Sequence, residues 1–172
     1  MTDIRPATSQ DAARICAIYN RYVLDTTISF EEAPVPEQDM AGRIADVANC
    51  GLPWLVLEID GVVAGYAYAT KWRARPAYRH AVESSVYLDP AFAGRGHGRR
   101  IYARLLDELR ARALHTVIGG IAQPNKQSVA LHEGLGFRKV AHFAEVGLKF
   151  GRRLDVGYWQ LILAQQPDGT GN

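Results

Sequence analysis

The chain has 172 residues, 48% of them hydrophobic and 22% charged, a balance that supports one well-buried core and excludes an intrinsically disordered protein. A formal net charge of +2 is too small to mark a nucleic-acid-binding surface. Two cysteines, Cys16 and Cys50, show no CxxC spacing and no His-rich partner, which argues against a zinc site or a disulfide framework.

The opening "MTDIRPATSQDA" lacks the apolar segment of a secretory signal, and the longest apolar run, around "LPWLVLEI", is far shorter than a membrane span. A soluble cytoplasmic protein is expected, with no membrane or nucleic-acid partner. "TDIRPAT" reads as a short first strand. Thr8 and Asp11 have capping-box spacing, and Ile15, Ile18, Tyr19, Tyr22 and Val23 recur at helical intervals, so the pattern predicts a helix over 9–24. "DTTISFEEAPVPE" breaks it before a second helix near 37–48. Two apolar runs joined by Asp60-Gly61 predict a hairpin. The basic, aromatic connection "RARPAYRH" then leads into a strand, "AVESSVYLD".

"AGRGHG" follows, and behind it a helix with Ile101, Leu105, Leu106 and Leu109 on one face. "HTVIGGIA" is a further strand, passing through Pro124-Asn125 into a helix ended by Gly134 and Gly136. Two final strands flank a glycine-containing turn, and the tail reads as frayed beyond residue 165. The order β-α-α-β-β-β-α-β-α-β-β predicts one mixed α/β domain over 1–165, built on a largely antiparallel sheet.

The glycine loop admits several readings. A P-loop would place Lys-Ser/Thr after the last glycine, where this chain has Arg99-Arg100. A dinucleotide fingerprint would follow the first strand of a βαβ unit. An anion cradle, in which free amides at a helix N-terminus meet a phosphate, and a plain turn both remain open on this segment alone.

"SVYLDPAFAGRGHGRRIYARLLDEL" and, further on, "QPNKQSVALHEGLGF" together resemble the acetyl-CoA core of the GNAT superfamily of N-acetyltransferases. With "WRARPAY", "AVESSVYL" and "GLKFGRRLDVGYWQL" added, the chain is similar over most of residues 3–163 to phosphinothricin and methionine sulfoximine N-acetyltransferases. The resemblance implies a single-domain GNAT fold with a mixed sheet, a splay at the acetyl-CoA site and about four flanking helices. It implies acetyl-CoA as co-substrate, no metal, and a homodimer. The backbone of Val86, Tyr87 and Leu88 would meet the pantetheine arm, and the loop Ala93, Gly94, Arg95, Gly96, His97, Gly98 and Arg99 the pyrophosphate. Ala93 stands where the family's loop begins with Arg or Gln, so Arg95 and Arg99 are expected to compensate. Asn125, a helix cap by position, and Ser128 complete that set.

For the chemistry, the resemblance makes Glu83 a general base acting through water. A carboxylate inside an otherwise apolar strand also has the competing reading of a solvated edge residue. His132 shares a helix face with Ser128, and the resemblance gives it substrate binding or proton transfer; a lone helical histidine is otherwise commonly structural. On the acceptor side the resemblance points to Phe30, Arg75, Tyr78, Ser85 and Val156, with Arg75 offering a planar fork to an oxyanion. Phe150 and Arg153 stand where herbicide-detoxifying members carry His and Trp. An α-amine, with a pKa of about 7.7–8, is neutral far more often at neutral pH than a lysine amine at about 10.4, which favours a small α-amino acid as acceptor. A polyamine, a protein N-terminus and a catalytically silent acyl-CoA-binding module are the competing functions; the basic "RARPAYR" speaks against the first.

Overall fold

A computed structural model describes residues 1–163; the tail expected to fray lies outside the described residues. The elements follow the predicted order: β1 Thr2–Pro6, α1 Ala12–Asp25, α2 Glu37–Asn49, β2 Trp54–Ile59, β3 Val62–Lys71, β4 Ala81–Leu88, α3 His97–Ala111, β5 Thr116–Gln123, α4 Lys126–Gly134, β6 Arg138–Lys149 and β7 Arg152–Ile162. The expected helix from residue 9 opens instead with a 3-10 turn at Ser9–Asp11. There Asp11 N–H donates to the Thr8 carbonyl, and the Asp11 carboxylate accepts from Thr8 N–H at 2.8 Å and pairs with Arg5, so the α-helix begins only at Ala12. Asp60 and Gly61 both take positive φ, 49° and 81°, as the turn that matches the twist of the β2–β3 hairpin requires.

The seven strands form one sheet in the order β1-β2-β3-β4-β5-β7-β6. Every pair is antiparallel except β4 with β5. One face is covered by α1 and α2, which bury Ile15, Ile18, Met40 and Ile44 against Trp54, Val56 and Tyr66. The other face is covered by α3, whose Ile101, Leu105, Leu106 and Leu109 are all buried against Leu55, Leu57, Val82 and Val117. Deeply buried apolar rows on both faces fix strand register, because a one-residue slip would turn every side chain to the wrong layer.

The parallel pair is short. β4 meets β5 only where Ala81–Glu83 lies beside Thr116–Ile118. Beyond Glu83, β4 stays with β3 to Leu88 and β5 stays with β7 to Gln123, so the two strands part and leave a slot in the sheet. The far end of β4 is held from α1: Tyr22 OH donates to the Leu88 carbonyl at 2.6 Å, and Arg14 pairs with Asp89.

Candidate active site

The slot presents unpaired backbone on its β4 side. Asp89 N–H donates to the Ala64 carbonyl, so by the alternation of an antiparallel ladder residues 83, 85 and 87 turn their amides towards β3. Val86 and Leu88 therefore turn theirs towards the slot, and Tyr22 already occupies the Leu88 carbonyl. Ser85, Val86, Tyr87, Gly120, Ala122, Asn125 and His132 line it. Val86, Tyr87, Asn125 and Ser128 also line a larger cleft of about 470 Å³ that runs on to Gly94, Gly96, His97 and Gly98. Slot and cleft are thus one continuous channel.

At the cleft's outer end Gly94 and Gly96 adopt φ of 76° and 79°, in the left-handed region that favours glycine. A Cβ on either would meet nothing within 4 Å, so it is backbone conformation and not space that asks for glycine. Arg100 N–H makes the first helical bond, to the Gly96 carbonyl, which leaves the amides of His97, Gly98 and Arg99 at the positive end of α3. Successive amides of this kind form an anion-binding concavity. Ala93 lines the cleft, and the two arginines expected to compensate for it are placed differently from each other. Arg99 lines the cleft while its guanidinium donates to the Gly134 carbonyl at 2.8 Å, tying α3 to the C-terminus of α4. Arg95 is exposed and outside the cleft lining.

His132 is 4% exposed, boxed edge-on by Tyr102 and Phe137. Its Nδ1 lies 2.8 Å from the Ser128 carbonyl, which can only accept, so Nδ1 carries the proton and Nε2 presents a lone pair. Burial pulls its pKa below the ordinary histidine value, partly opposed by the Ser128 bond, and keeps the ring neutral at pH 7. Asn125 caps α4, its Oδ1 accepting from Ser128 N–H at 3.1 Å. Glu83 is half-buried, and its pKa is raised by desolvation, with the Arg73 charge drawing it partly back.

Glu83 and His132 do not share a face. A Cβ on Gly119 would lie 2.5 Å from His132 Nε2, whereas one on Gly120 would lie 3.1 Å from Glu83 Oε1. Side chains alternate along a strand, so the imidazole stands on the α3 side of β5 and the carboxylate on the α1–α2 side. Ser85, two residues on from Glu83, faces the same way. So does Val156, whose cross-strand partner Ala122 is two residues from Gly120. Phe30 packs from the α1–α2 connection onto β6, where a Cβ on Gly147 would come within 2.5 Å of its ring. Arg75 begins a 3-10 turn at Pro76–Tyr78 in the exposed β3–β4 connection, and neither it nor Tyr78 lines the slot or the cleft. Arg73 is the arginine whose charge reaches Glu83.

A family model described as an acetyltransferase (GNAT) domain matches residues 4–157. The chain belongs to the GNAT acetyltransferase family. It is 40% identical over 158 residues to a phosphinothricin N-acetyltransferase of Streptomyces viridochromogenes, covering 92% of this chain and 86% of that protein. It is 41% identical over 160 residues to an L-methionine sulfoximine/L-methionine sulfone acetyltransferase of Salmonella typhimurium, covering 93% and 94%. The solved yncA protein of Salmonella typhimurium, in complex with acetyl-CoA, superposes with a TM-score of 0.93 at 39% identity, covering 98% of this chain and 99% of that one.

Several residues of this GNAT chain that shape the site carried no sequence signal. Tyr22 and Ile28 line the cleft from α1 and the loop after it. Tyr158 sits opposite Gly120 beside Glu83, and its hydroxyl pKa is raised by burial and by the Glu83 charge. Lys149 is buried, donating to the Ser29 carbonyl at 2.6 Å, and with the Phe30–Gly147 contact it fastens the α1–α2 connection to β6. Each is an ordinary core or helix-face residue by pattern; only the tertiary arrangement brings Tyr22 and Ile28 to the cleft, Tyr158 beside Glu83 and Lys149 to the α1–α2 connection.

Proposed function

We propose that this acetyltransferase moves the acetyl group of acetyl-CoA onto the α-amine of a small amino acid or amino-acid analogue, of the phosphinothricin, methionine sulfoximine or methionine sulfone type. The observation that carries the proposal is the continuous channel from the Gly94–Gly98 amides, past the Val86 and Leu88 amides that turn away from β3, to the slot beside Glu83. Its outer end suits a pyrophosphate held by main-chain amides at a helix N-terminus. Its inner walls offer β4 amides to an extended amide-bearing arm, much as a strand would add to a sheet edge.

In the reaction the amine nitrogen bonds to the thioester carbonyl carbon, the C–S bond breaks, and one proton must leave the nitrogen. Glu83 takes that proton through water. Its desolvated carboxyl is a stronger base than an ordinary glutamate, which suits the task. His132 lies across the slot with Nε2 as an acceptor, so it orients a donor or a water and does not supply a proton to sulfur. The thiolate leaves and is protonated from solvent. On the acceptor side, Arg75 and Tyr78 are assigned to the acid group, with Ser85, Phe30 and Val156 closing the pocket around it.

Two copies are proposed to associate through the β6–β7 hairpin. β6 is a sheet edge, and Phe143, Val146, Leu148 and Phe150 expose more than half of their surface there. The free cysteines Cys16 and Cys50 suit a reducing cytoplasm. Release of CoA thiol, followed with a panel of amino acids, tests the function: turnover is expected with methionine sulfone and phosphinothricin, and acetyl-CoA binding without turnover on any amine would overturn it.

A further inference from the structure

Three side chains of α1 converge on the two residues where β4 ends. Positions 14, 21 and 22 fall on one face of the helix. From that face Tyr22 OH donates to the Leu88 carbonyl at 2.6 Å, Arg14 pairs with Asp89 at 2.5 Å, and Arg21 lies 3.4 Å from the second Asp89 oxygen. Arg14 Nε also donates to the Val63 carbonyl of β3 at 3.0 Å, so one guanidinium ties two strands to α1. Asp89 is 6% exposed, and its carboxylate accepts from Ala91 N–H at 2.9 Å, capping the 3-10 turn Pro90–Phe92 that leads into the glycine loop. A nearly buried carboxylate shared by two arginines is more than a cap needs, since an uncharged asparagine caps as well as aspartate.

Leu88, one residue back, faces the other way. Asp89 meets α1, and side chains alternate along a strand, so Leu88 stands on the α3 side of the sheet. A Cβ on Gly65 of β3 would overlap Leu88 Cδ2, and one on Gly98, in the first turn of α3, would lie 3.3 Å from Leu88 Cδ1. The Leu88 side chain therefore fills the space between β3 and the N-terminus of α3, the end that carries the amides of His97, Gly98 and Arg99. A shift at the end of β4 shifts that support.

We infer that Asp89 is a positioning residue for acetyl-CoA: clamped by Arg14, it fixes the end of β4 and, through Leu88, the direction in which the first amides of α3 point. This rests on the Gly94–Gly98 loop holding the pyrophosphate, as proposed above. Asp89 itself lines neither the slot nor the cleft. Three roles give three different results for Asp89→Asn. A cap alone leaves acetyl-CoA binding unchanged, because asparagine also caps. A charge alone tightens binding, because a negative charge near an anion site is gone and two arginines are left unopposed. A clamp weakens binding, because a neutral amide holds a guanidinium less firmly than a carboxylate does.

Titration calorimetry with acetyl-CoA reads the sign. Kd is expected to weaken about tenfold in Asp89→Asn and in Arg14→Ala. Arg21→Ala removes the same charge as Arg14→Ala but only an exposed, longer contact, so its Kd should change less than about twofold. The weakening should persist at high salt, where long-range charge effects are screened. In steady-state kinetics KM for acetyl-CoA should rise while kcat and the acceptor's KM stay within about twofold, a split that a general loosening of the fold would not give. An unchanged or tighter Kd in Asp89→Asn, or equal losses in Arg14→Ala and Arg21→Ala, would overturn the inference. Gly96→Ala separates it from the reading it rests on. If Gly96→Ala leaves Kd unchanged, the loop is not the pyrophosphate site; if it weakens Kd and Asp89→Asn does not, the clamp alone fails. Arg14 keeps 36% of its side chain exposed, so Arg14→Ala against Arg21→Ala carries the test should Asp89→Asn fold poorly.

Discussion

His132 and Glu83 stand on opposite faces of β5, one over each of two consecutive glycines. Gly119 makes room for the imidazole and Gly120 for the carboxylate. The slot between β4 and β5 opens where their pairing ends at Glu83, and His132 lines it from the other face of β5. The two glycines allow that arrangement because any larger residue would fill one side of it.

Gly119→Ala is expected to be the harsher of the two changes. Its methyl would overlap the His132 ring, which Tyr102 and Phe137 hold in place, for a destabilisation of about 1–3 kcal/mol. At Gly120 the methyl would meet Glu83 Oε1 and a Tyr158 ring carbon at 3.1 Å each, a contact the carboxylate can relieve by moving. Gly120→Ala should therefore cost little stability but lower kcat. Thermal unfolding and steady-state kinetics on both variants check this, and equal losses of stability would contradict it.

The base assignment predicts a particular pH profile. Activity needs the carboxylate, and desolvation raises the Glu83 pKa, so kcat should fall with acidification at a pH above the ordinary glutamate range. In Glu83→Gln this limb should vanish and kcat drop by about 10²–10⁴-fold. A separate rise in kcat/KM near pH 8, belonging to the acceptor's amine, should survive. The folded state binds the Glu83 proton more tightly than the unfolded chain, so stability is lost as pH rises through that window. The Gln variant should accordingly melt higher than wild type at neutral pH.

His132 works with the opposite sign. Its folded pKa lies below the unfolded value of 6.5, because burial penalises the charged ring. Below that value the unfolded chain binds more protons, so stability should decline as pH falls from 6.5 through the folded pKa. Urea unfolding of wild type and His132→Gln at about pH 7 and pH 5 measures the slope; the variant should lose part of it. An unchanged slope would show that the ring titrates normally in the fold.

The exposed hairpin makes the oligomer testable. Leu148→Glu places a charge on the β6 edge at a side chain 54% exposed, so a monomer should fold as before. If the hairpin joins two copies, the wild type should sediment as a dimer and the variant as a monomer, because a desolvated unpaired charge at an interface is costly. A monomeric wild type would remove the proposal.

The chain's local patterns gave away much of this fold, for reasons visible in particular residues. Helical spacing of Ile101, Leu105, Leu106 and Leu109 reports a buried stripe, and Asp60-Gly61 reports a turn, because both signals are local. What local patterns cannot carry is β7 entering between β5 and β6, since that pairing joins Gly120 to Tyr158 across 38 residues. The opposite facing of Glu83 and His132 follows from that sheet order and from the parting of β4 and β5. The engagement of Arg99 by Gly134 and the Arg14–Asp89 pair are likewise products of packing between distant segments.

That difference bears on the proposed role of the Gly94–Gly98 loop. With Arg95 outside the cleft and Arg99 tied to α4, acetyl-CoA affinity should depend on backbone conformation more than on loop charge. Gly96→Ala forces an L-residue into φ of 79°, a strain of about 1–2 kcal/mol that the loop can relieve only by turning its amides away from the anion. Titration calorimetry with acetyl-CoA should show about a tenfold weaker Kd for Gly96→Ala and for Gly94→Ala. Arg95→Ala should change Kd less than about twofold at physiological salt, where an exposed charge is screened. If Arg95→Ala proved the more damaging change, the loop would grip its anion by side chain, and the role given to the main-chain amides from Gly94 to Arg99 would fail.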